Sequence, residues 1–177
     1  MTATSQSYGA VLGEALDARQ AGRFAEAQAG FERAIDMDPR QAPAHFHLAC
    51  LLHMTGRLDQ AAISYRTAAT LAPDVAMIHV NFGVCRQALG RLDEALDSLE
   101  RAVALTPMSE DAHANLGLVL QSLGRLKEAE ASMRRALALQ PNAAMFHSNL
   151  GTLLRDQGRL DESIAAFERA LAISPDS

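Results

Sequence analysis

The sequence has no tryptophan, and aromatic residues make up only 5% of its 177 positions. Strands draw on aromatic and β-branched side chains, so this scarcity, beside abundant Ala and Leu, favours helix. Lysine is nearly missing: Lys127 is the single lysine among sixteen basic residues. With a formal net charge of −5 and no basic run, the chain offers nothing to draw nucleic acid or an anionic membrane. Two cysteines, Cys50 and Cys85, are too few for a disulfide framework, and their spacing fits no zinc motif. They read as buried, reduced thiols of a cytoplasmic protein. No apolar run approaches the ~20 residues of a transmembrane helix. The N-terminal stretch MTATSQSYGAVLGEALDAR lacks a basic n-region and a long apolar core, so no secretory signal is expected. There is no G-x-S-x-G elbow, phosphate loop or zinc-hydrolase pattern. Neither catalysis nor a cofactor is therefore expected.

What the sequence does have is repetition. GRF or GRL begins at Gly22, Gly56, Gly90, Gly124 and Gly158, always 34 residues apart. Pro39, Pro73, Pro107, Pro141 and Pro175 each follow one of these glycines by 17 residues. The units run 8–41, 42–75, 76–109, 110–143 and 144–177, after a polar tail 1–7 expected to be disordered. Each unit reads as two helices. The first runs to the glycine, which accepts the positive φ of a helix C-terminus. The second starts at the next Leu or Phe and stops before the proline, which cannot continue a helix. Small residues form one column, Ala27, Ala61, Ala95, Ala129 and Ser163. A second column is Ala34, Ala68, Ala102, Ala136 and Ala170. Bulky residues lie between them: Phe31, Tyr65, Leu99, Met133 and Phe167. Such a stripe is one face of a helix.

With Leu116–Gly117 and Leu150–Gly151, and the relaxed pairs Phe82–Gly83 and Leu48–Ala49, this pattern resembles the tetratricopeptide repeat family. The resemblance covers residues 8–177 as a single domain. It implies an all-α fold, a right-handed α-solenoid of about ten helices in antiparallel pairs, with the first helices lining a concave surface. Unit 1 departs most, with Glu14 where the family has Leu, and Gly9 and Gly13 inside its first helix.

A further regularity is the frame His-x-Asn. The histidines are His45, His79, His113 and His147; two residues on stand His47, Asn81, Asn115 and Asn149. The two columns are about 200° apart on a helix, so they serve different surfaces. Successive histidines stand one repeat apart and cannot converge on a metal ion. The resemblance puts them where the family often has Trp, packed against the preceding second helix. It puts the asparagines on the concave wall, like the His-x-Asn-Leu repeats of the peptide-binding superhelix of O-GlcNAc transferase. A carboxamide both donates and accepts, so it can pair with a peptide bond. Met77, Val80, Val84, Asp111, Ala114, Leu118, Met145, Ser148 and Thr152 are expected on the same wall. That wall lacks the lysines of a carboxylate clamp, so a chaperone-tail receptor is not expected. The Arg column of the turns (Arg23, Arg57, Arg91, Arg125, Arg159) reads as solvated turn chemistry.

The expected function is a non-catalytic interaction module that binds an extended polypeptide. The alternatives are the recognition segment of a larger, glycosyltransferase-like enzyme and a self-assembling scaffold. At the C-terminal end, Ile164, Leu171 and Ile173 keep the apolar character that covers the next unit elsewhere, and no capping helix follows in the sequence. A repeat array needs a polar outer face at its ends, so the expectation is either a homodimer through this end or a natural chain that continues past Ser177.

Overall fold

A computed structural model describes residues 7–175, and these contain ten helices and no strand. Of the tail, residues 1–6 lie outside the described residues, as do 176 and 177. Ser7 is the N-cap of the first helix: its Oγ accepts from the Ala10 N–H at 3.3 Å.

The chain divides into two compact units that meet in sequence at Leu89 and Gly90. Unit 1 holds α1 (Tyr8–Gln20), α2 (Phe24–Met37), α3 (Ala42–Met54), α4 (Leu58–Leu71) and α5 (Ala76–Ala88). Within it α1 pairs with α2 and α3 with α4, while α2 packs on α3 and α4 on α5. Unit 2 holds α6 (Leu92–Leu105), α7 (Glu110–Ser122), α8 (Leu126–Leu139), α9 (Ala144–Asp156) and α10 (Leu160–Ile173). Here α7 pairs with α8 and α9 with α10, while α6 packs on α7 and α8 on α9.

Each first helix ends as expected. Gly22, Gly56, Gly90, Gly124 and Gly158 all have φ between +73° and +78°. In the turn at Gly124, the Gly124 N–H bonds the Gln121 carbonyl and the Arg125 N–H reaches back to Leu120, both at 2.9 Å. This is the Schellman arrangement, which satisfies carbonyls that a helix end leaves over. The turn arginine then holds the first turn of the second helix. Arg23 meets Glu26 at 3.1 Å, and Arg125 meets Glu128 at 2.7 Å.

The small columns lie where helices touch. Ala27, Ala61, Ala95 and Ala129 are fully buried, as are Ala34, Ala68, Ala102 and Ala136. Ser163 takes the alanine's place in α10 and is satisfied there, its Oγ donating to the Gly151 carbonyl at 2.7 Å. The bulky column fills the space between: Phe31, Tyr65, Leu99 and Met133 are all buried, while Phe167 is half-buried. In unit 1 these rings meet others. Tyr65 stacks on Phe82 with centroids 6.0 Å apart and tilts against Phe46 at 6.1 Å. Its hydroxyl donates to Cys50 Sγ at 3.4 Å. Cys50 and Cys85 are both free thiols, and burial pushes the Cys50 thiol up.

Candidate first-helix wall

The histidine column has a partner that the sequence reading missed. Nε2 of His45, His79, His113 and His147 lies 3.0, 2.8, 3.0 and 2.8 Å from the carbonyls of Pro39, Pro73, Pro107 and Pro141. A carbonyl only accepts, so each Nε2 carries a proton and donates. Each histidine thus ties the first turn of its helix to the loop leaving the previous second helix. All four are half-buried. The signal lay in a proline followed six residues later by histidine, four times over.

The asparagine column divides between the units. On α5 in unit 1, Asn81 Nδ2 donates to the Met77 carbonyl at 2.9 Å. On α7 in unit 2, Asn115 Nδ2 donates to the Asp111 carbonyl at 2.8 Å. Both are bonds to the carbonyl four residues back on the same helix. They fix the carboxamide and commit one of its N–H groups. Neither bond uses the amide oxygen or the second N–H. Asn149 on α9 lines an open groove with Met145 and Ser148.

His47 occupies the asparagine position in α3 but is differently engaged. Its ring stacks on Phe31 with centroids 5.9 Å apart and lies 5.3 Å from Phe46, and Nδ1 stands 3.5 Å from Arg19 Nη1. Burial pushes its pKa down, and the Arg19 charge adds to that shift. Beside it is an apolar groove of about 280 Å³, walled by Ala42, Pro43, Phe46, Val75, Met77 and Ile78. Met77, one turn before Asn81, is 62% exposed, and Met145, one turn before Asn149, is 65% exposed. Val84 is half-buried. Leu118 packs against the unit 2 core, and Ala114, expected on the wall, is buried in that core with Phe146.

A pH dependence follows from His47 and His53, whose pKa values are both pushed below the ordinary 6.5 by burial. The unfolded chain takes up these protons near pH 6.5, whereas the folded chain resists them until lower pH. Stability is therefore full above 6.5 and lost as pH falls below it. Urea midpoints should drop between pH 7.5 and pH 5.5, and the variant His47→Gln, His53→Gln should show a shallower drop. An equal drop in that variant would assign the effect elsewhere. Among the described residues, no group of three His, Cys, Asp or Glu side chains is placed to hold a metal ion. No helix among them is long and apolar enough to cross a membrane.

A family profile described as tetratricopeptide repeat matches residues 12–76 and 115–177, and one described as TPR repeat matches 85–124. No curated protein matches the chain. Among solved structures, the chain is similar to TTC0263, a thermophilic TPR protein of Thermus thermophilus. The two are 28% identical with a TM-score of 0.77, over 97% of this chain and 93% of that one. It is also similar to the fragment of MamA from residue 41 to the end, from Desulfovibrio magneticus RS-1. That pair is 19% identical with a TM-score of 0.89, over 99% of this chain and 100% of the other. A third similar structure is YrrB, described as a TPR protein with an unusual peptide-binding site. Its identity is 19% and its TM-score 0.81, over 98% of this chain and 89% of that one.

Proposed function

The chain belongs to the tetratricopeptide repeat family, and on that premise we propose that its first-helix walls hold extended polypeptide by the ligand's backbone. The fold is that of a protein-interaction module. The observation that carries the finer reading is the repeated back-bond of Asn81 and Asn115. It presets the amide so that Oδ1 can accept a ligand N–H without first losing rotamer freedom. Asn149 supplies a further rung, and His47 stands beside the apolar groove rather than acting as one. Met77 and Met145, one turn from their asparagines, offer adaptable apolar contact, with Val84 and Leu118 behind. The wall is read as similar to the peptide-binding repeats of O-GlcNAc transferase, in a non-catalytic role, and the free thiols Cys50 and Cys85 fit a reducing, cytoplasmic setting. The peptide-binding site of the similar protein YrrB fits the same reading.

Backbone capture by a few amides gives affinities in the micromolar range. The test is capture of partners from a lysate by the wild-type chain and by the triple variant Asn81→Ala, Asn115→Ala, Asn149→Ala, read by mass spectrometry. The triple variant should lose the captured set while its helical circular dichroism is unchanged, because Ala is a better helix former than Asn. Undiminished capture by a folded triple variant would sink the reading.

A further inference from the structure

In unit 2 the two second helices of the paired repeats differ in what lies against them. On α8, Met133, Ala136 and Leu137 form one cluster with Phe146, Leu150 and Leu154 of α9. Moved forward by one stride of 34 residues, the α8 set becomes Phe167, Ala170 and Leu171. These three line an open groove of about 680 Å³, together with Ser148 and Asn149 of α9. The groove is therefore the place that α9 fills one repeat earlier. What fits it is a helix with bulky apolar residues a turn apart.

α10 itself carries such a stripe. Leu160, Ile164 and Leu171 are 60%, 57% and 53% exposed, and their spacing puts them on one helical face. Among the described residues no other helix exposes three large hydrophobic side chains. α1 cannot serve as the plug. Where α9 has Phe146, Leu150 and Leu154, it has Ala10, Glu14 and Ala18, and Glu14 is paired with Arg33 at 3.4 Å. Copies joined head to tail would put the charged Glu14, with only alanines a turn either side of it, against an apolar groove. The surface that needs cover and the surface that gives it lie together on the α9–α10 pair, which is what a self-complementary contact requires.

We propose that a second copy of this chain covers the groove through a two-fold contact, each α10 laying Leu160, Ile164 and Leu171 into the α9–α10 groove of the other. Half-buried Ile173 lies at the rim of this contact. Ile164 stands where α8 has Glu130, the carboxylate that meets Arg159 at 2.6 Å, so the contact is apolar and resists high salt. The groove also holds Asn149 and Met145, so in the dimer that rung is covered, and peptide capture is left to Asn81 and Asn115.

The experiment is sedimentation velocity of the whole chain across the micromolar range, in low and high salt. The wild type should be a dimer in both. Ile164→Glu with Leu171→Glu should raise the dimer Kd by about 100-fold or more while helicity is kept, since both side chains are exposed. Ile63→Glu, at a position as exposed as Ile164 but on α4, should leave the dimer intact. A monomeric wild type overturns the proposal, as does a dimer untouched by the double variant or growth into larger polymers. A monomer that binds a synthetic peptide of residues 142–157, and loses it on Leu171→Glu, gives the groove to a foreign helix and overturns it too.

Discussion

Tyr65→Ala should cost unit 1 about 3–5 kcal/mol of stability, the range for deleting a large buried aromatic side chain. Tyr65 is 1% exposed and touches the rings of Phe46, His53 and Phe82 with centroids 6.0–6.3 Å away. Its loss leaves a cavity among three helices and strips Cys50 of its hydroxyl partner. Tyr65→Phe keeps the ring contacts and removes only that weak bond to sulfur, so it should cost no more than about 1 kcal/mol. Chemical denaturation of the two variants separates packing from hydrogen bonding. Similar losses for both would mean that the hydroxyl, rather than the ring, holds this region.

The second large effect is a pair of opposite signs from one kind of substitution. Gly30→Ala should destabilise the α1–α2 pair by roughly 1–3 kcal/mol. A Cβ at Gly30 would stand 2.7 Å from Ala15 Cβ and 3.3 Å from its Cα, so one helix must back away from the other. Gly9→Ala and Gly13→Ala meet nothing within 4 Å and keep their helical backbone. Each should raise stability by about 0.5–1 kcal/mol, through the lower conformational entropy of the unfolded chain. Thermal melts of the three variants test this directly. A stabilised Gly30→Ala would show that α1 and α2 have slack that their contact distances deny.

The Gly30 contact marks one limit of what the sequence discloses. The third to fifth repeats carry glycine at positions 83, 117 and 151, where the first repeat has Ala15. The extra methyl of Ala15 is accommodated by Gly30 on the facing helix, a compensation visible only once the helices are docked. The helix boundaries and the alanine columns were legible beforehand because each residue type there has one physical use. A glycine at the same place in five repeats points to positive φ, and a recurrent alanine between bulkier residues points to close approach. The histidines were legible as a column but not by partner. They hydrogen-bond a backbone carbonyl, and a carbonyl carries no residue identity to read. The asparagines were legible as amides. Which half of the amide faces outward depends on a rotamer, and the bonds to Met77 and Asp111 decide it. The aromatic cluster around Tyr65 was not legible at all. Phe46, Tyr65 and Phe82 sit in different columns and on different helices, and only packing brings them together.

The central claim, recognition of a ligand's backbone by preset asparagine oxygens, is tested most directly by a backbone N-methyl scan. A segment captured by the wild-type chain is synthesised with one amide methylated at a time, and each Kd is measured by calorimetry. Packed helices lie ~8–10 Å apart and an extended chain advances ~3.3 Å per residue, so first helices at that spacing set rungs about three residues apart. Binding should therefore collapse at methylated positions recurring about every third residue, while alanine at the same positions changes little. If methylation is neutral throughout and affinity instead follows the side chains, the walls read side chains and the asparagine account is contradicted.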